Sequence, residues 1–316
     1  MDIDSGTSNA ELPTSNVELR TSQASDAVFH RPVMVEEVLE FLAPKSGTIV
    51  DACVGGGGHA RAILEILGSG ELLGLDLDQE AITEARRQLD KTEKVKLVKA
   101  NYADMATIVT ELGLGPVRGV LFDFGVSYHQ LRTADRGFSF ELNGPLDMRF
   151  DPSASLPPAL SLLRRASPVE LAAWLKDFGQ EPFARRLARR IGECRGRLHT
   201  TSELAEVVRA SVPGRFARKS LARVFQAIRI ATNRELENVR KGLRAAVEML
   251  APGGRLVAIS YHSLEDREVK VCLRDSCKSG VVELLTPKPL RPKEDEVRAN
   301  PQARSARFRA AEKMDG

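Results

Sequence analysis

Residues 50–59 of this 316-residue chain read VDACVGGGGH, and a second apolar run over residues 73–75 ends in Asp76. A hydrophobic strand, four glycines, a helix start and a second strand ending in a carboxylate are typical of a nucleotide-binding pocket. Glycine allows the backbone to approach a ligand where a Cβ would collide. The Asp76 carboxylate can accept hydrogen bonds from both hydroxyls of a ribose. The pattern therefore predicts a Rossmann-like sheet that binds a ribose-bearing ligand.

The nature of that ligand depends on Asp51, which precedes the glycines. Residues 55–60 also satisfy the loose dinucleotide fingerprint G-x-G-x-x-A, and a purely structural glycine turn is a third interpretation. A carboxylate at position 51 would repel an anionic pyrophosphate, whereas it attracts the ammonium and sulfonium groups of S-adenosylmethionine. The order of acid, glycine loop and second acid favours a methyl donor over a dinucleotide.

The composition is that of an ordinary globular protein. The chain is 42% hydrophobic and 5% aromatic, and no apolar run approaches the ~20 residues that span a bilayer. Residues 1–27 are rich in Ser, Thr, Asn and Asp and lack the features of a signal peptide, which predicts a disordered tail. The cysteines form no CxxC pair, and with the five histidines they give no metal spacing. We expect reduced thiols in a cytoplasmic protein, with no metal and no membrane partner.

Positive charge is concentrated in the middle of the chain. From Arg136 to Arg223 there are 16 Lys and Arg against 9 Asp and Glu, whereas the remainder has 30 against 34. Such a basic segment suggests an anionic polymer as substrate. Four arginines also recur at helical spacing, as on an ordinary solvated helix: Arg185, Arg186, Arg189 and Arg190. The charge pattern leaves both interpretations open.

Short apolar runs alternate with helical stretches at both ends of the chain. Strands are predicted over residues 48–54, 71–77, 95–100, 117–124 and 255–260, with a closing antiparallel hairpin from residues 281–285 and 306–311. Helices are predicted over residues 59–67, 79–90 and 235–250, the last followed by a turn at residues 251–254.

The alternation stops from about Asp135 to Arg223, where only helical periodicity is found, over residues 169–178, 183–194 and 202–211. Residues 201–204, Thr-Ser-Glu-Leu, predict an N-cap for the third of these helices. We predict an α/β fold, the doubly wound sheet of a class I Rossmann-like methyltransferase. Residues 28–135 and 224–316 form it, and residues 136–223 are an inserted all-helical domain.

Polar residues follow the predicted strands, at the edge where doubly wound sheets bind ligands. Asp76 is assigned to the ribose hydroxyls, and Asp78 better suits the N-cap of the next helix. Tyr102 either stacks on adenine or is an exposed turn aromatic. Asp123 ends an apolar strand, where an ionised carboxylate is unfavourable unless it is paired, which indicates a functional role.

Three later blocks are specific in combination: RGFSF at residues 136–140, GPLDMR at 144–149 and HSLEDR at 262–267. With them the sequence resembles the MraW family of bacterial 16S rRNA (cytosine-N4)-methyltransferases, from His30 to Lys313. The resemblance implies methyl transfer from S-adenosyl-L-methionine to N4 of a cytidine in the decoding centre, at the P site of the 30S subunit. It also implies that the helical insert recognises RNA and that its arginines hold rRNA phosphates.

The resemblance assigns the methyl donor to seven residues: Gly57, Gly58, His59, Asp76, Tyr102, Asp123 and Gln130. Asp123 is in addition the candidate catalytic residue, which accepts hydrogen bonds from the cytosine amine and orients it. Backbone carbonyls of residues 125–127 are alternative acceptors. A strong base is not required, because the amine proton becomes acidic once the methyl group has moved.

The chain departs from the family pattern at three places. The family usually has Thr where Cys53 stands, a Ser-Pro pair at Tyr128-His129, and His-Pro-Ala-Thr-Arg-Thr at residues 219–224. The second departure lies beside the expected cytosine pocket. Four further residues either line the same cleft or cap the helix after the fifth strand: His262, Ser263, Glu265 and Arg267.

Three other functions are compatible with parts of this pattern. They are a methyltransferase acting on a protein or small molecule, a non-catalytic ribosome-assembly factor that keeps the fold, and a dinucleotide oxidoreductase. The intact Asp51, Gly57, Asp76 and Asp123 argue against the assembly factor. The sequence leaves open the oligomeric state, including a homodimer.

Overall fold

The computed structural model describes residues 32–43, 45–89 and 93–315. The predicted tail over residues 1–27 and the predicted helix end at Asp90 lie outside the described residues. Seven strands form one sheet: β1 Ser46–Asp51, β2 Ser69–Asp76, β3 Val95–Lys99, β4 Val117–Asp123, β5 Leu250–Ser260, β6 Val282–Leu284 and β7 Arg307–Lys313.

The strand order is β3-β2-β1-β4-β5-β7-β6. The first five strands of that order pair in parallel, whereas β7 is antiparallel to both β5 and β6. The winding direction reverses between β1 and β4, which opens a crevice at the carboxyl ends of these strands. The predicted doubly wound fold is therefore confirmed, and its last two strands form the antiparallel edge.

Thirteen α-helices accompany the sheet in the described part of the chain. In chain order they are α1 Val35–Leu42, α2 Gly58–Ile66, α3 Gln79–Leu89, α4 Met105–Glu111, α5 Tyr128–Arg132, α6 Ala159–Arg165, α7 Pro168–Asp177, α8 Ala184–Cys194, α9 Thr201–Ser211, α10 Gly214–Asn233, α11 Glu235–Met249, α12 Ser263–Lys278 and α13 Glu294–Ala299. Among the described helices, none is both long enough and apolar enough to cross a membrane.

The core of the sheet is divided between its two faces, as the pleat of a strand requires. On β4, Val120 and Phe122 belong to the cluster on one face, and Leu121 belongs to the cluster on the other. Successive side chains of a strand point to opposite sides, so a strand buried on both faces must be apolar throughout. This explains why β4 reads as an almost continuous apolar run.

The helical insert has a hydrophobic core of its own, which extends from Phe138 to Ile228. Its longest helix, α10, has 20 residues and passes through Arg223, where the sequence analysis ends the insert. At the far end of α10, the Asn233 amide donates to the Met148 carbonyl at 2.7 Å and accepts from the Phe150 N–H at 2.8 Å. The end of α10 beyond Arg223 thus bonds back to the first part of the insert.

The N-cap of α9 lies one residue earlier than the sequence pattern predicts. The Thr200 hydroxyl accepts the Glu203 N–H, and the Glu203 carboxylate accepts the Thr200 N–H at 2.9 Å, which is a capping box. Thr201 is not free to act as the cap, because its hydroxyl donates to the Leu142 carbonyl at 2.6 Å. A tertiary contact therefore decides the position of the cap.

The turn predicted at residues 251–254 lies within the bounds of β5. Leu250 pairs with Val117, and the next pair joins Arg255 to Gly119, so residues 251–254 interrupt the register. Gly253 has φ 71°, a conformation that glycine adopts without strain. The turn exists, but pairing on both sides of it makes it an irregularity inside a longer strand.

Candidate active site

A cavity of about 370 Å³ opens at the carboxyl ends of β1, β2, β4 and β5. Six of the seven predicted donor-binding residues line it: Gly58, His59, Asp76, Tyr102, Asp123 and Gln130. Gly57 is not among the lining residues, although Gly55 is. The structure thus brings together side chains from positions 59 to 130 of the sequence at the edge that the strand order predicts.

The glycines serve packing as much as ligand approach. Gly57 has φ 87°, and a Cβ there would lie 3.2 Å from Leu89 Cδ1 on α3. A Cβ at Gly58 would lie 2.9 Å from Pro32. Gly55 and Gly58 both present their backbone to the cavity, whereas Gly57 does not. The requirement for glycine at positions 57 and 58 therefore comes from neighbouring protein segments.

Asp76 is held by the backbone of the loops on either side of it. One carboxylate oxygen accepts the Gly55 N–H at 3.0 Å, and the other accepts the Asp78 N–H at 2.8 Å. Burial raises the pKa of Asp76 to about 6, against the lowering effect of these bonds. Each oxygen keeps a lone pair for a further donor. The geometry leaves Asp76 fixed and able to accept two hydroxyl groups.

Asp51 lies behind the glycine loop and is not in the cavity wall. Its side chain is 1% exposed, and one oxygen accepts the Cys53 N–H at 3.3 Å. The other oxygen is buried with no hydrogen-bond partner among the described residues. Burial raises the pKa of Asp51 to about 8, and the charges of Asp123 and Asp76 add to the increase. The proximity of the three carboxylates disfavours their simultaneous ionisation, and a cation nearby would lower their pKa values.

Asp123 is held by side chains that come from distant parts of the sequence. One carboxylate oxygen accepts the Tyr261 hydroxyl at 2.8 Å, and the other lies 3.5 Å from His59 Nδ1. His59 Nε2 is 2.9 Å from the Val33 carbonyl, which can only accept, so Nε2 carries a proton. Nδ1 can then donate to Asp123 only when the imidazole is protonated. Asp123 thus sits between a neutral donor and a titratable one.

Gln130 links α5 to the start of α3. Its amide oxygen accepts the Ser127 N–H at 3.0 Å, and its amide nitrogen donates to Asp78 at 2.7 Å. The same Asp78 oxygen accepts from Arg136 Nη1 at 2.7 Å, and its other oxygen accepts the Glu80 N–H at 3.0 Å. Asp78 therefore caps the turn that begins α3, as its sequence position suggests, and both polar ends of Gln130 bond to protein.

The Tyr102 ring lies in the cavity wall and is half-buried, so it is not an exposed turn aromatic. It meets Phe122 and Phe124 edge-on, with ring centroids 5.7 Å and 5.9 Å away. Burial raises the pKa of its hydroxyl well above the usual value. A Cβ at Gly242 would lie 2.6 Å from this ring, so α11 also fixes its position.

A second polar group lines the opposite side of the cavity. Arg229 makes two bonds to the Glu235 carboxylate, at 2.9 Å and 3.0 Å. His262 caps α12 by accepting the Glu265 N–H, and both residues line the cavity. For His262 and Glu265, the expected capping role and the expected position in the cleft are therefore both found. Burial opposes ionisation of Glu265, but His262 and Arg229 outweigh it and keep its pKa below the usual value.

Sequence reasoning assigned no role to Arg229, Glu235 or Tyr261, although all three line the cavity. The available signal was their position: Tyr261 follows β5 directly, and Glu235 begins α11. Arg267, by contrast, is not among the lining residues, and Ser263 donates to Gln180 at the surface.

Glu235, His262 and Glu265 place their ligand atoms within 4.8 Å of one another. The Arg229 guanidinium already compensates this negative charge through its paired bonds to Glu235. A metal ion would have to compete with that cation. The prediction that the site uses no metal stays a prediction.

The residues that depart from the family pattern at Tyr128-His129 do not line the cavity, whereas Cys53 does. His129 Nε2 lies 2.7 Å from a Glu80 oxygen, and the Arg132 guanidinium lies over the Tyr128 ring at 5.5 Å. In this chain the two side chains therefore make contacts outside the cavity wall.

The sheet order, the ligand crevice and the carboxylates at the strand ends together define a class I, Rossmann-like methyltransferase. The sequence profile described as the MraW methylase family matches residues 27–314. The chain belongs to the MraW methylase family.

Relatives in this family match nearly their full length. A protein of Syntrophotalea carbinolica named Ribosomal RNA small subunit methyltransferase H is 47% identical over 308 residues, covering 90% of this chain and 98% of that protein. A protein of Thermotoga neapolitana with the same name is 46% identical over 295 residues, covering 91% and 97%.

Proposed function

We propose that this protein transfers a methyl group from S-adenosylmethionine to N4 of a cytidine in 16S rRNA, at the P site of the decoding centre. The small ribosomal subunit in the cytoplasm would be its partner. The observation that carries the proposal is a crevice of buried carboxylates in a chain that is 47% identical to a ribosomal RNA small subunit methyltransferase H.

The methyl donor fits the negative end of the cavity. Asp76 has two oxygens in place for the ribose hydroxyls, and Tyr102 offers an aromatic edge in the same wall. The raised pKa values of Asp51 and Asp76 favour a cationic ligand nearby over an anionic pyrophosphate, because a cation stabilises the ionised carboxylates. Gly58, His59 and Gln130 complete this wall, and Gly57 supports it from behind. S-adenosylmethionine supplies an electrophilic methyl group when it is bound.

The acceptor fits beside Asp123. The exocyclic amine of cytosine is a poor nucleophile, because its lone pair is delocalised into the ring. A carboxylate offers about four acceptor positions, and the Tyr261 hydroxyl uses one of those on Asp123. Bonds from the amine N–H groups to Asp123 would turn the nitrogen lone pair toward the methyl group. The backbone carbonyls of residues 125–127 are additional acceptors at the same place.

The reaction forms a bond from N4 to the methyl carbon, breaks the carbon–sulfur bond, and releases one proton from N4. Asp123 holds the amine in line before transfer and can accept that proton afterward. Orientation of two reactants contributes much of such an acceleration. The target base must leave its stack to reach the cavity, so the helical insert with its arginines would hold the flanking rRNA.

The direct test is transfer of tritium from labelled S-adenosylmethionine to purified small ribosomal subunits, followed by digestion and nucleoside chromatography. We expect label in N4-methylcytidine alone. Label in protein or in a small molecule would indicate a methyltransferase with another substrate. Donor binding without transfer to any fraction would indicate an assembly factor that keeps the fold.

A further inference from the structure

One face of α10 forms a continuous path from the outer end of the insert into the cavity. The spacing of residues 215, 219, 222, 226 and 229 alternates four and three, which places them on one side of a helix. Gln226 and Arg229 line the cavity. At 1.5 Å per residue, the face extends about 21 Å from Arg215 to Arg229. We call this face, made of those five residues, the α10 track.

The outer part of the α10 track is exposed and positively charged. Arg215, Lys219 and Ala222 are exposed, whereas Leu221 and Val224 on the other side of the helix are buried in the insert core. Within the ranges 32–43, 45–89 and 93–315, no carboxylate forms an ion pair with Arg215 or Lys219 in the structure. Their charges are available to a ligand.

Two of the four arginines of α8 provide a contrast. Arg189 and Arg190 both pair with Glu193, at 3.9 Å and 2.7 Å. Both arginines are exposed, so such pairs are weak, but they reduce the local positive potential. The charge of Arg189 and Arg190 is therefore partly compensated, whereas no described carboxylate pairs with Arg215 or Lys219 at the outer end of the α10 track.

An aromatic side chain lies beside the outer end of the track. Phe216 is 36% exposed, and the Arg215 guanidinium lies over its ring at 4.8 Å. Phe183 supports the ring from the insert side, with centroids 5.8 Å apart. A supported ring next to unpaired cations is the arrangement on which proteins stack bases of single-stranded nucleic acid.

We propose that the α10 track binds the unpaired RNA strand that leads to the target cytidine. Arg215 and Lys219 contact phosphates, Phe216 stacks on a base, and Ala222 leaves room for the strand to pass toward Gln226 at the cavity. The proposal rests on the proposed function, since it takes RNA to be the substrate.

Fluorescence anisotropy of the full-length protein with a labelled 12-nucleotide single-stranded RNA tests this. Lys219→Gln should lower the slope of log affinity against log salt by about 0.7, the value for one phosphate contact on a single strand. Phe216→Leu keeps an apolar side chain and should weaken binding about fivefold or more, with the slope unchanged. Lys278→Gln removes the same charge from the exposed end of α12 and should change neither quantity.

The proposal for the α10 track would be overturned if Lys219→Gln and Phe216→Leu left both the RNA affinity and its salt dependence unchanged. Equal slopes in Lys219→Gln and Lys278→Gln would also overturn it, by indicating nonspecific attraction. Variants that bind RNA normally but bind small subunits weakly would indicate a protein partner instead. Methyl transfer by the wild-type protein, measured on the same preparation, reports separately on the proposed function.

Discussion

The two ends of the cavity hold their carboxylates by different means. Asp76 accepts two backbone N–H groups, from Gly55 and Asp78, which lie within 21 residues of it. Asp123 is held by side chains, the Tyr261 hydroxyl and the His59 ring, and Tyr261 is 138 residues away. A side-chain substitution leaves a backbone N–H donor in place, whereas it can remove a side-chain hydrogen-bond donor. The end of the cavity at Asp76, where we propose that the methyl donor binds, is the donor end, and the end at Asp123 is the acceptor end. The hydrogen bonds of the donor end therefore persist in side-chain variants, whereas those of the acceptor end can be removed by mutation.

The largest effect is expected from removal of Asp123. Asp123→Ala should reduce methyl transfer to small subunits by roughly 10²–10⁴-fold, because the amine loses its oriented acceptor. Donor affinity should fall much less, since Asp76 is untouched. Single-turnover transfer and calorimetry of donor binding measure the two effects. Asp104→Ala, an exposed aspartate outside the cavity wall, is the matched control. Normal turnover in Asp123→Ala would remove Asp123 from the mechanism.

At Asp76 we expect the opposite pattern, with weaker binding of the methyl donor and a nearly normal transfer rate. Asp76→Asn places an amide N–H₂ where a backbone N–H now donates, so the donor should bind roughly 10- to 100-fold more weakly. Transfer at saturating donor should be nearly normal. A reduced rate at saturation with unchanged affinity would show that the two ends are not separate.

The pH dependence of donor binding follows from the same carboxylate. With a pKa of about 6, Asp76 is protonated below that pH and loses acceptor capacity. Donor affinity of the wild-type protein should rise between pH 5 and pH 7, and Asp76→Asn should lack the rise. Calorimetry at the two pH values measures it, and identical curves would contradict the assignment.

A smaller effect is expected from Tyr261→Phe, which removes one donor from Asp123 and keeps the ring. Transfer should slow by roughly 2- to 10-fold, the range for one hydrogen bond. Affinity for S-adenosylmethionine should stay unchanged, because Asp76 is untouched. A transfer rate equal to that of the wild-type protein would contradict the role of the Tyr261 hydroxyl.

The difference between the two ends also explains what the sequence could predict. The donor end is encoded in residues 51–78, where strand, glycines and carboxylate follow one another, so the place of Asp76 in the cavity wall could be predicted locally. The positions of the strands followed from apolar runs of the right length. The packing role of Gly57 was not predictable, because it depends on Leu89 and the approach of α3.

The acceptor end could be predicted only in part. Asp123 was found because a carboxylate at the end of an apolar strand is unusual. Tyr261 was not found because it lies 138 residues from Asp123 in the sequence. The ion pair of Arg229 with Glu235 was not found because it joins two consecutive helices, α10 and α11. The length of α10 was missed for a related reason, since its residues belong to the insert core at one end and the cavity wall at the other.

The proposed activity can be tested in cells, by mass spectrometry of 16S rRNA from a strain that lacks this protein. We expect N4-methylated cytidine to be lost at one decoding-centre position. It should return when the wild-type protein is supplied and stay absent with Asp123→Ala. Full N4 methylation in cells without the protein, or its return with Asp123→Ala, would contradict the account.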